Sequence, residues 1–376
     1  MSSHLHQILH LLPSISEGAA GLAAAVKGLA NAQHLQGQQA QVLGADAFPG
    51  FRRAAQLVSA AQAKALPGHL VHSHGLWLAA SRASRRLHRL GLPTVVAPHG
   101  MLDPWAWRRH RAQKQLLWWL GERTTVQGAS CLQALCTAER GAMRALGITA
   151  PIALIPNGVE LPDASPPSLA ALPPPLWLDH GVPEGAPVLL FLGRFHAKKG
   201  IEPLLAAWQR LQQRRACEAW LVIAGFGDGG ALAQRLVASP IPRVRVIGPL
   251  HGETKASAYA HAAGFVLPSY SEGLPMAALE AMGWGLPCLL SQACNLPEAF
   301  AVQAAWSAPP DPAILEPQLA RWVSAAETDP EALAAMGAAG RALVEQQFSW
   351  PQVARQTSEL YAWLLGEADR PEFVER

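Results

Sequence analysis

Several features that would place a chain in a membrane, outside the cell or on a nucleic acid are missing from this sequence. No uninterrupted apolar run approaches the roughly 18–20 residues needed to span a bilayer. The 376 residues include only five cysteines, with no C-x-x-C pair and no zinc spacing, so we expect reduced core thiols. The formal net charge of +3 is too small to indicate a nucleic acid as partner. The first residues, Met1–Leu12, lack the basic stretch of a signal peptide, so we expect a cytoplasmic protein.

What the sequence does contain is enough apolar residues for two cores. Half of its residues are hydrophobic and 15% are charged, which is typical of a globular protein. A chain of 376 residues exceeds one ordinary core. Prolines are dense between Val159 and Pro187, which indicates a connection between domains. We predict, in order, a first domain over 1–165, a proline-rich linker over 166–186, a second domain over 187–348 and a closing helix over 349–376.

Short apolar runs alternate with amphipathic segments in both halves of the chain. The predicted strands include Ile8–Leu12, Leu70–Ser73, Thr94–Ala97, Val188–Leu192, Ala219–Ala224, Val244–Ile247 and Phe265–Leu267. This alternation predicts two α/β, doubly wound, Rossmann-like domains with parallel sheets. Ligands of such sheets bind beyond the carboxyl ends of the strands, so we expect the site in a cleft between the two domains.

One stretch in the second half combines a strand, a glycine turn and a helix start. The apolar run Gly264–Pro268 is followed by Glu272 and Gly273, and then by a helix that carries Glu280. Backbone N–H groups at a helix start bind anions, while carboxylates bind hydroxyls. A phosphate site beside hydroxyl acceptors favours a sugar nucleotide as ligand.

A basic turn, Gly193–Gly200, follows the first strand of the second domain. It contains Arg194 and Lys199, and an arginine fork beside a lysine point charge suits a diphosphate. Basic turns between strands and helices are common, so a merely solvated loop is the alternative at this point.

The glutamate stretch resembles the paired-glutamate signature of the large retaining glycosyltransferase group 1 family (family 4), which has the GT-B fold. That family includes sucrose-phosphate synthases and many bacterial polysaccharide and lipopolysaccharide transferases. Arg194 and Lys199 match its diphosphate pair. Further matching motifs, with an N-terminal half similar to the exopolysaccharide-assembly branch, are His72–Gly75, Pro98–Leu102, Ile155–Val159 and Ala224–Gly227. The resemblance implies two domains facing across a cleft, with a last helix that crosses back to the first domain.

The resemblance also implies roles on the donor side. Arg194 and Lys199 would hold the diphosphate and stabilise the charge that builds on it. Glu272, with the backbone amides of Gly273 and Leu274, would meet the sugar hydroxyls and phosphate. Glu280 would accept hydrogen bonds from the ribose.

Further roles follow from the remaining matched motifs. His99 would reach the transferred sugar from the first domain, while Gly225 and Ile247 would line the donor pocket. The residues implied on the acceptor side or along the cleft are Gly18, Gly21, His74 and Asn157. The sequence departs from the family at Ala20, where an adjacent pair of glycines is usual.

No metal or other cofactor is expected. The chain contains no Asp-x-Asp, the device by which the other common glycosyltransferase fold holds a divalent ion with substrate phosphates. His72 and His74 lie on one face of a strand, but no third ligand is predicted near them.

The segment 105–123 is rich in tryptophan, arginine and lysine. One interpretation is a helix that contacts the inner leaflet of an anionic membrane. The other, which we favour, is an ordinary amphipathic helix whose tryptophans pack inward.

The resulting expectation is a metal-independent, retaining hexosyltransferase acting in cell-surface polysaccharide biosynthesis. It would move a sugar from a nucleotide-diphosphate sugar to a glycan or a lipid-linked glycan. The alternatives are a nucleotide-sugar epimerase on the same two-domain fold and a non-catalytic nucleotide-sugar-binding relative. A dinucleotide oxidoreductase, suggested by Gly225-x-Gly227-x-Gly229-Gly230, is disfavoured because this glycine pattern does not open the first strand-helix unit of its domain. The donor sugar, its base and the acceptor are not identified by the sequence.

Overall fold

A computed structural model describes most of the chain. The described residues are 7–13, 20–44, 69–77, 79–108, 111–163, 165–215, 217–227 and 229–376. The contacts divide the chain into two compact units. The first unit is Met1–Gly158 with Phe348–Arg376, and the second is Val159–Gln347.

Strands and helices alternate along the described residues. The strands are β1 Gln7–Leu12, β2 Gln39–Gly44, β3 His69–His74, β4 Thr94–Ala97, β5 Cys131–Ala134, β6 Ile152–Leu154, β7 Val188–Leu192, β8 Trp220–Ala224, β9 Val244–Ile247, β10 Gly264–Leu267, β11 Cys288–Leu290, β12 Ala305–Ser307 and β13 Val374–Glu375. The helices are α1 Ala20–Leu35, α2 Ala79–Arg89, α3 Pro104–Arg108, α4 Arg111–Leu117, α5 Arg123–Gly128, α6 Thr137–Ala145, α7 Pro166–Ala170, α8 Ile201–Arg214, α9 Gly229–Ala238, α10 Gly252–His261, α11 Met276–Gly283, α12 Pro297–Ala301, α13 Pro312–Thr328, α14 Pro330–Leu343 and α15 Trp350–Leu364. Short π-helical turns at Trp118–Glu122 and Val344–Phe348 extend α4 and α14.

The first unit is built on a sheet with the order β13-β6-β5-β4-β3-β1-β2. All neighbouring strands are parallel except β13, which pairs with β6 in the antiparallel direction. Every residue of β4 and β5 is buried, as is usual for central strands of a parallel sheet covered on both faces. The strand order reverses beside β1, so the carboxyl ends of β1 and β3 flank the topological switch point, where open α/β sheets bind ligands.

The second unit has a parallel sheet with the order β12-β11-β10-β7-β8-β9. Its chain runs from β7 outward through β8 and β9, and then returns to β10 on the other side of β7. The switch point therefore lies between the carboxyl ends of β7 and β10. The basic turn follows β7 and the first glutamate follows β10, so topology alone gathers these two motifs.

The proline-rich segment 166–186 belongs to the second unit. Trp177 is buried in a short 3₁₀ turn of this segment. The carbonyl oxygen of Pro173 accepts a hydrogen bond of 2.6 Å from the hydroxyl of Ser257 on α10. The segment that was predicted as a linker is thus packed on the sheet that follows it.

The last helix, α15, packs in the first unit, which confirms the predicted return of the closing helix. Its first residue, Trp350, lies against Gly28 of α1 and Gly158 after β6. A β-carbon added at Gly28 would lie 2.3 Å from the Trp350 ring, and one at Gly158 would lie 2.4 Å from it. Both positions therefore need glycine for lack of space.

Among the helices of the described residues, none is long and apolar enough to cross a membrane.

The substitution Gly28→Ala should destabilise the first unit, because the new methyl group would overlap the Trp350 ring. Overpacking of this kind costs about 1–3 kcal/mol. Gly21→Ala, in the same helix but with no atom within 4 Å of the added β-carbon, should instead leave stability unchanged or raise it by up to about 1 kcal/mol. Urea unfolding followed by circular dichroism measures both changes. Equal effects of the two substitutions would contradict the proposed contact.

Candidate functional site

The switch point of the second unit holds a close ion pair between Lys199 and Glu272. The Nζ atom of Lys199 lies 2.6 Å from Oε1 of Glu272, and the hydroxyl of Ser269 donates to the same oxygen at 2.6 Å. Glu272 is only 6% exposed, and Nζ of Lys198 lies 4.0 Å from its other oxygen. A buried carboxylate that is paired and hydrogen-bonded in this way is held in one orientation.

Two segments must approach closely for this pair to form. Gly200 has a φ of +70°, and a β-carbon there would lie 1.9 Å from the carbonyl oxygen of Pro268. The backbone N–H of Tyr270 donates to the carbonyl of Lys198 at 2.7 Å. Glycine at position 200 therefore allows the turn that carries Lys199 to pack directly on the segment after β10.

Arg194 lies at the edge of the same site, directly after the strand β7. Its side chain is exposed, and its guanidinium carbon lies 5.6 Å from the centre of the Phe226 ring. Among the described residues, no carboxylate forms an ion pair with it. Gly225 is needed beside it, because a β-carbon there would lie 1.7 Å from the carbonyl oxygen of Gly193. Arg194 is therefore a cation without an ion-pair partner among the described residues, and it lies beside the close contact between the backbones of Gly193 and Gly225.

Glu280 lies inside α11, whereas Glu272 precedes that helix. The two carboxylate oxygens of Glu280 have separate partners. Nζ of Lys255 lies 2.8 Å from Oε1, and the hydroxyl of Tyr259 donates to Oε2 at 3.0 Å. Burial raises the pKa of Tyr259 well above its usual value, and the nearby Glu280 carboxylate adds to this effect. The tyrosine is therefore a hydrogen-bond donor at neutral pH, and Glu280 is a fixed, half-buried acceptor.

The turn that contains Gly273 and Leu274 is held by Asn295. The amide nitrogen of Asn295 donates to the carbonyl oxygens of Glu272 at 2.6 Å and Gly273 at 3.2 Å. Asn295 itself has a φ of +57°, in the left-handed region that asparagine tolerates better than most residues. Gly273 and Leu274 are half-buried at this turn, just before the first residue of α11.

The remaining predicted residues lie in different surroundings. The side chain of Ile247 is buried at the carboxyl end of β9, so it packs in the core of the sheet. Asn157 is half-buried after β6, and Gly21 is exposed in the first turn of α1. Gly18 lies outside the described residues.

The first unit holds a group of four histidines near its own switch point, three of them buried and His99 half-buried. His10 of β1 is in register with His72 of β3. Its Nδ1 lies 2.9 Å from Nε2 of His74, and Nδ1 of His74 lies 2.9 Å from Nε2 of His99. His72 contacts the hydroxyl of Tyr361 through its Nδ1 at 2.7 Å. His99 follows β4 with a φ of +51°, a strained conformation that is frequent at functional sites.

Burial keeps these four rings neutral. It lowers the pKa of His10 and of His99 to about 4. It also lowers the pKa of His72 and of His74 well below the usual value, and neighbouring histidines add to that effect.

The expectation that no third ligand lies near His72 and His74 was wrong, because β1 brings His10 beside them. One nitrogen from each ring lies within 4.8 Å of the others, a spacing that a metal ion could use. However, both nitrogens of His10 are hydrogen-bonded, and the rings of His72 and His74 stack with their centres 4.2 Å apart. A metal ion would have to break these bonds and separate the stack, so the donor set fits a hydrogen-bonded cluster better than a metal centre.

Glu139 fixes the turn that follows His99. Its carboxylate accepts hydrogen bonds from the backbone N–H of Gly100 at 2.5 Å and of Leu135 at 2.8 Å. Burial raises the pKa of Glu139, and the two backbone donors oppose that rise. One carboxylate thus joins the segment after β4 to the segment after β5.

The amino-acid sequence matches two family models that follow each other along the chain. Residues 9–158 match the glycosyl transferase 4-like domain, and residues 186–325 match the glycosyl transferases group 1 model. The D-inositol 3-phosphate glycosyltransferase of Streptomyces scabiei is 31% identical over 332 residues, covering 78% of this chain and 68% of the relative. The chain belongs to the group 1 glycosyltransferases.

Other comparisons agree with this assignment. The alpha-maltose-1-phosphate synthase of Mycolicibacterium smegmatis is 28% identical to this glycosyltransferase over 316 residues, covering 78% of each chain. The sucrose-phosphate synthase of Thermosynechococcus elongatus has a similar structure, with a TM-score of 0.72, 20% identity and coverage of 96% of this chain and 100% of the other. HepE of Anabaena, solved with UDP and glucose, gives a TM-score of 0.68 at 17% identity, covering 95% of this chain and 100% of the other. These likenesses confirm the predicted GT-B fold with two Rossmann-like domains.

Several residues of the glycosyltransferase site were not predicted from the sequence. Lys255, Tyr259 and Glu139 are polar residues on helices, with no local pattern to distinguish them from solvated side chains. Asn295 carried a usable signal, because it occupies a position after a strand where a left-handed conformation favours asparagine or glycine.

The glycosyltransferase should lose stability in mild acid because of its buried histidines. Their folded-state pKa values lie below the ordinary value of 6.5, so protonation favours the unfolded state as the pH falls from about 6.5 towards about 4. Each histidine adds a slope of up to about 1.4 kcal/mol per pH unit. Urea unfolding at a series of pH values measures the slope.

Two variants show whether the histidine group causes this slope. His10→Asn should flatten the dependence between about pH 4 and 6.5, even though it lowers stability at pH 8. His180→Gln, at an exposed position of the second unit, should keep the wild-type slope. A wild-type slope in His10→Asn would contradict the explanation.

Proposed function

We propose that this glycosyltransferase transfers a hexose from a nucleotide-diphosphate sugar to a glycan or lipid-linked glycan, with retention and without a metal ion. The observation that carries the proposal is the cationic switch point of the second unit. There the exposed Arg194 lies one short turn away from the Lys199–Glu272 pair. An exposed guanidinium, a lysine ammonium and a buried carboxylate are what a charged diphosphate joined to a hydroxyl-rich sugar requires.

The arrangement supports a division of roles. Arg194 and Lys199 would bind the diphosphate and stabilise the negative charge that develops as the glycosidic bond breaks. Glu272 would accept hydrogen bonds from sugar hydroxyls, and Ser269 and Lys199 hold its carboxylate in place. Neither role requires a nucleophilic carboxylate, and the two donors already on Oε1 of Glu272 reduce its nucleophilicity.

Glu280 would bind the ribose of the donor. Lys255 and Tyr259 fix its carboxylate, so the acceptor geometry exists before the nucleotide arrives. HepE, which shares the fold, was solved with UDP and with UDP-glucose, which supports a nucleotide sugar as donor here. His99 keeps the role that the resemblance implies, a contact with the transferred sugar.

The acceptor has two candidate classes. The resemblance favours a growing cell-surface polysaccharide. Two relatives, alpha-maltose-1-phosphate synthase and D-inositol 3-phosphate glycosyltransferase, are each named for a small phosphorylated molecule, which makes such a compound the second candidate. Product analysis with both classes distinguishes them, and a donor-only incubation distinguishes transfer from epimerisation.

Arg194→Met should lower kcat/KM about a hundredfold, because the diphosphate loses a preorganised cation. The side chain is exposed, so the unfolding midpoint should not change. The control is Arg215→Met, which removes an arginine of the same unit that pairs with Glu327 at the surface, and it should change neither quantity.

A thermal-shift screen with UDP-, GDP- and ADP-sugars first identifies the donor, since a bound ligand raises stability.

Two results would contradict the proposed site. One is a kcat/KM for Arg194→Met within threefold of the wild type with the identified donor. The other is activity that EDTA abolishes and a divalent ion restores, which would exclude the metal-independent mechanism.

The tryptophan-rich segment supports a second proposal, peripheral contact with an anionic membrane. Trp107 and Trp118 pack against each other, with ring centres 5.4 Å apart, and so fit the inward-packing interpretation. In contrast, Leu116, Trp119 and Leu120 are 60%, 70% and 71% exposed. Basic side chains surround them, and the guanidinium of Arg123 lies 5.0 Å from the Trp119 ring centre. Exposed apolar side chains among cations are what the surface of an anionic bilayer attracts.

The wild-type protein should float with liposomes that contain anionic lipid and not with neutral ones. The double substitution Trp119→Ser, Leu120→Ser should reduce the fraction of protein that floats several-fold. It removes the apolar side-chain surface that would insert into the bilayer, including the aromatic ring at the membrane interface. Leu35→Ser, which removes a leucine that is 90% exposed elsewhere in the same unit, is the control. Equal flotation of the two variants would overturn the membrane proposal.

A further inference from the structure

The four histidines of the first unit belong to a longer chain of hydrogen-bonded side chains. From His99 the chain runs through His74 to His10, whose Nε2 lies 2.8 Å from Oε1 of Gln33. The amide nitrogen of Gln33 donates to the hydroxyl of Tyr361 at 3.3 Å. All these groups lie within one unit, and all except His99 are fully or almost fully buried.

The chain continues beyond Tyr361 to a backbone carbonyl. The tyrosine hydroxyl lies 2.7 Å from Nδ1 of His72, whose ring also interacts with Gln133. Nε2 of His72 and Oε1 of Gln133 are both buried, and neither has a hydrogen-bond partner among the described residues. The amide nitrogen of Gln133 donates to the carbonyl of Ile155 at 2.9 Å.

The carbonyl of Ile155 determines which partner donates and which accepts in each hydrogen bond of this series. A backbone carbonyl only accepts hydrogen bonds, so Gln133 must direct its nitrogen to Ile155 and its oxygen to the other side. The Gln133 side chain raises the pKa of His72, which is the effect of an acceptor near its ring and favours a proton on Nε2. Nδ1 of His72 then accepts from Tyr361. The tyrosine hydroxyl then accepts from Gln33, in agreement with the orientation of that amide.

The same reasoning extends to the other end. Oε1 of Gln33 can only accept, so His10 carries its proton on Nε2 and accepts on Nδ1. His74 must then donate from Nε2 and accept on Nδ1. His99 consequently donates from Nε2 to His74. In a neutral ring the other nitrogen of His99, Nδ1, then carries the lone pair.

We propose that Gln33, His10 and His74 are positioning residues that hold His99 in one tautomer, with a proton on Nε2 and an acceptor at Nδ1. His99 is then a hydrogen-bond acceptor for a hydroxyl group of a sugar substrate and not a proton donor to it. This consequence rests on the proposed function, whereas the tautomer itself follows from the hydrogen-bond chain alone. The neutral state of the rings agrees with the burial that lowers their pKa values.

The tautomer can be measured directly on the full-length protein. The protein is labelled with ¹⁵N-histidine, and the ring resonances are recorded in long-range ¹H–¹⁵N spectra at pH 7.5, with His99 assigned from the missing signal of His99→Asn. The expected result is a protonated Nε2 and an unprotonated Nδ1 for His99, His74 and His10. A protonated Nδ1 on His99, or a doubly protonated ring, would overturn the proposal.

A matched pair of variants tests whether Gln33 sets the tautomer. Gln33→Met removes the acceptor for His10, so the Nδ1–H form of His99 should become populated. Gln38→Met is the control, because Gln38 also donates a hydrogen bond to α15, to the hydroxyl of Ser358 at 2.8 Å. Gln38 does not belong to the series of hydrogen bonds that ends at His99, so His99 should keep its single tautomer in this variant. A purely structural effect would alter the two variants alike, and an unchanged His99 tautomer in Gln33→Met would overturn the positioning role.

Kinetics then separate this inference from the proposed function. Gln33→Met should lower kcat about threefold to tenfold, with a smaller change in KM, because one hydrogen bond to the sugar is lost part of the time. Failure of the wild-type protein to transfer any sugar would refute the proposed function and would leave the tautomer result standing. If Gln33→Met does not fold, the wild-type spectrum alone still decides between the two tautomers.

Discussion

Both units depend on one geometrical constraint of parallel sheets: every strand ends at the same edge. Side chains that follow different strands are therefore gathered even when they are distant in sequence. In the second unit this brings Lys199, after β7, within 2.6 Å of Glu272, after β10. In the first unit it brings His99, after β4, to His74 at the end of β3. The chemistry at each edge follows from which residues the sequence places directly after the strands.

The two sheet edges offset the free-energy cost of burying polar groups in different ways. The second unit keeps charges and compensates them, since Glu272 pairs with Lys199 and Glu280 pairs with Lys255. The histidine group of the first unit instead stays neutral, and its members satisfy one another through hydrogen bonds. Charged partners suit the binding of a diphosphate, whereas neutral rings suit the recognition of uncharged hydroxyl groups.

Much of the fold could be predicted from the sequence, because local patterns determine it. The strand Val188–Leu192 was predicted with the bounds that the structure has, and the glutamate and basic motifs were placed correctly after their strands. The supporting contacts could not be predicted in the same way. Gln33 and Tyr361 are separated by 328 residues, and their contact depends on how α15 packs against α1. A polar residue within a helix has the same local pattern whether it faces water or completes a buried hydrogen-bond chain.

The return of the last helix also affects the order in which this protein can fold on the ribosome. The second unit is continuous in sequence and can complete its core once Gln347 has left the exit tunnel. The first unit begins earlier in the sequence but lacks Trp350 and Tyr361 until the segment Phe348–Arg376 has emerged. Domains usually fold in the order of synthesis, whereas here the domain that begins first is completed last. Until then, the glycine surfaces that receive Trp350 and the buried histidines stay without their closing helix, so the nascent first unit is the part that most needs protection from aggregation.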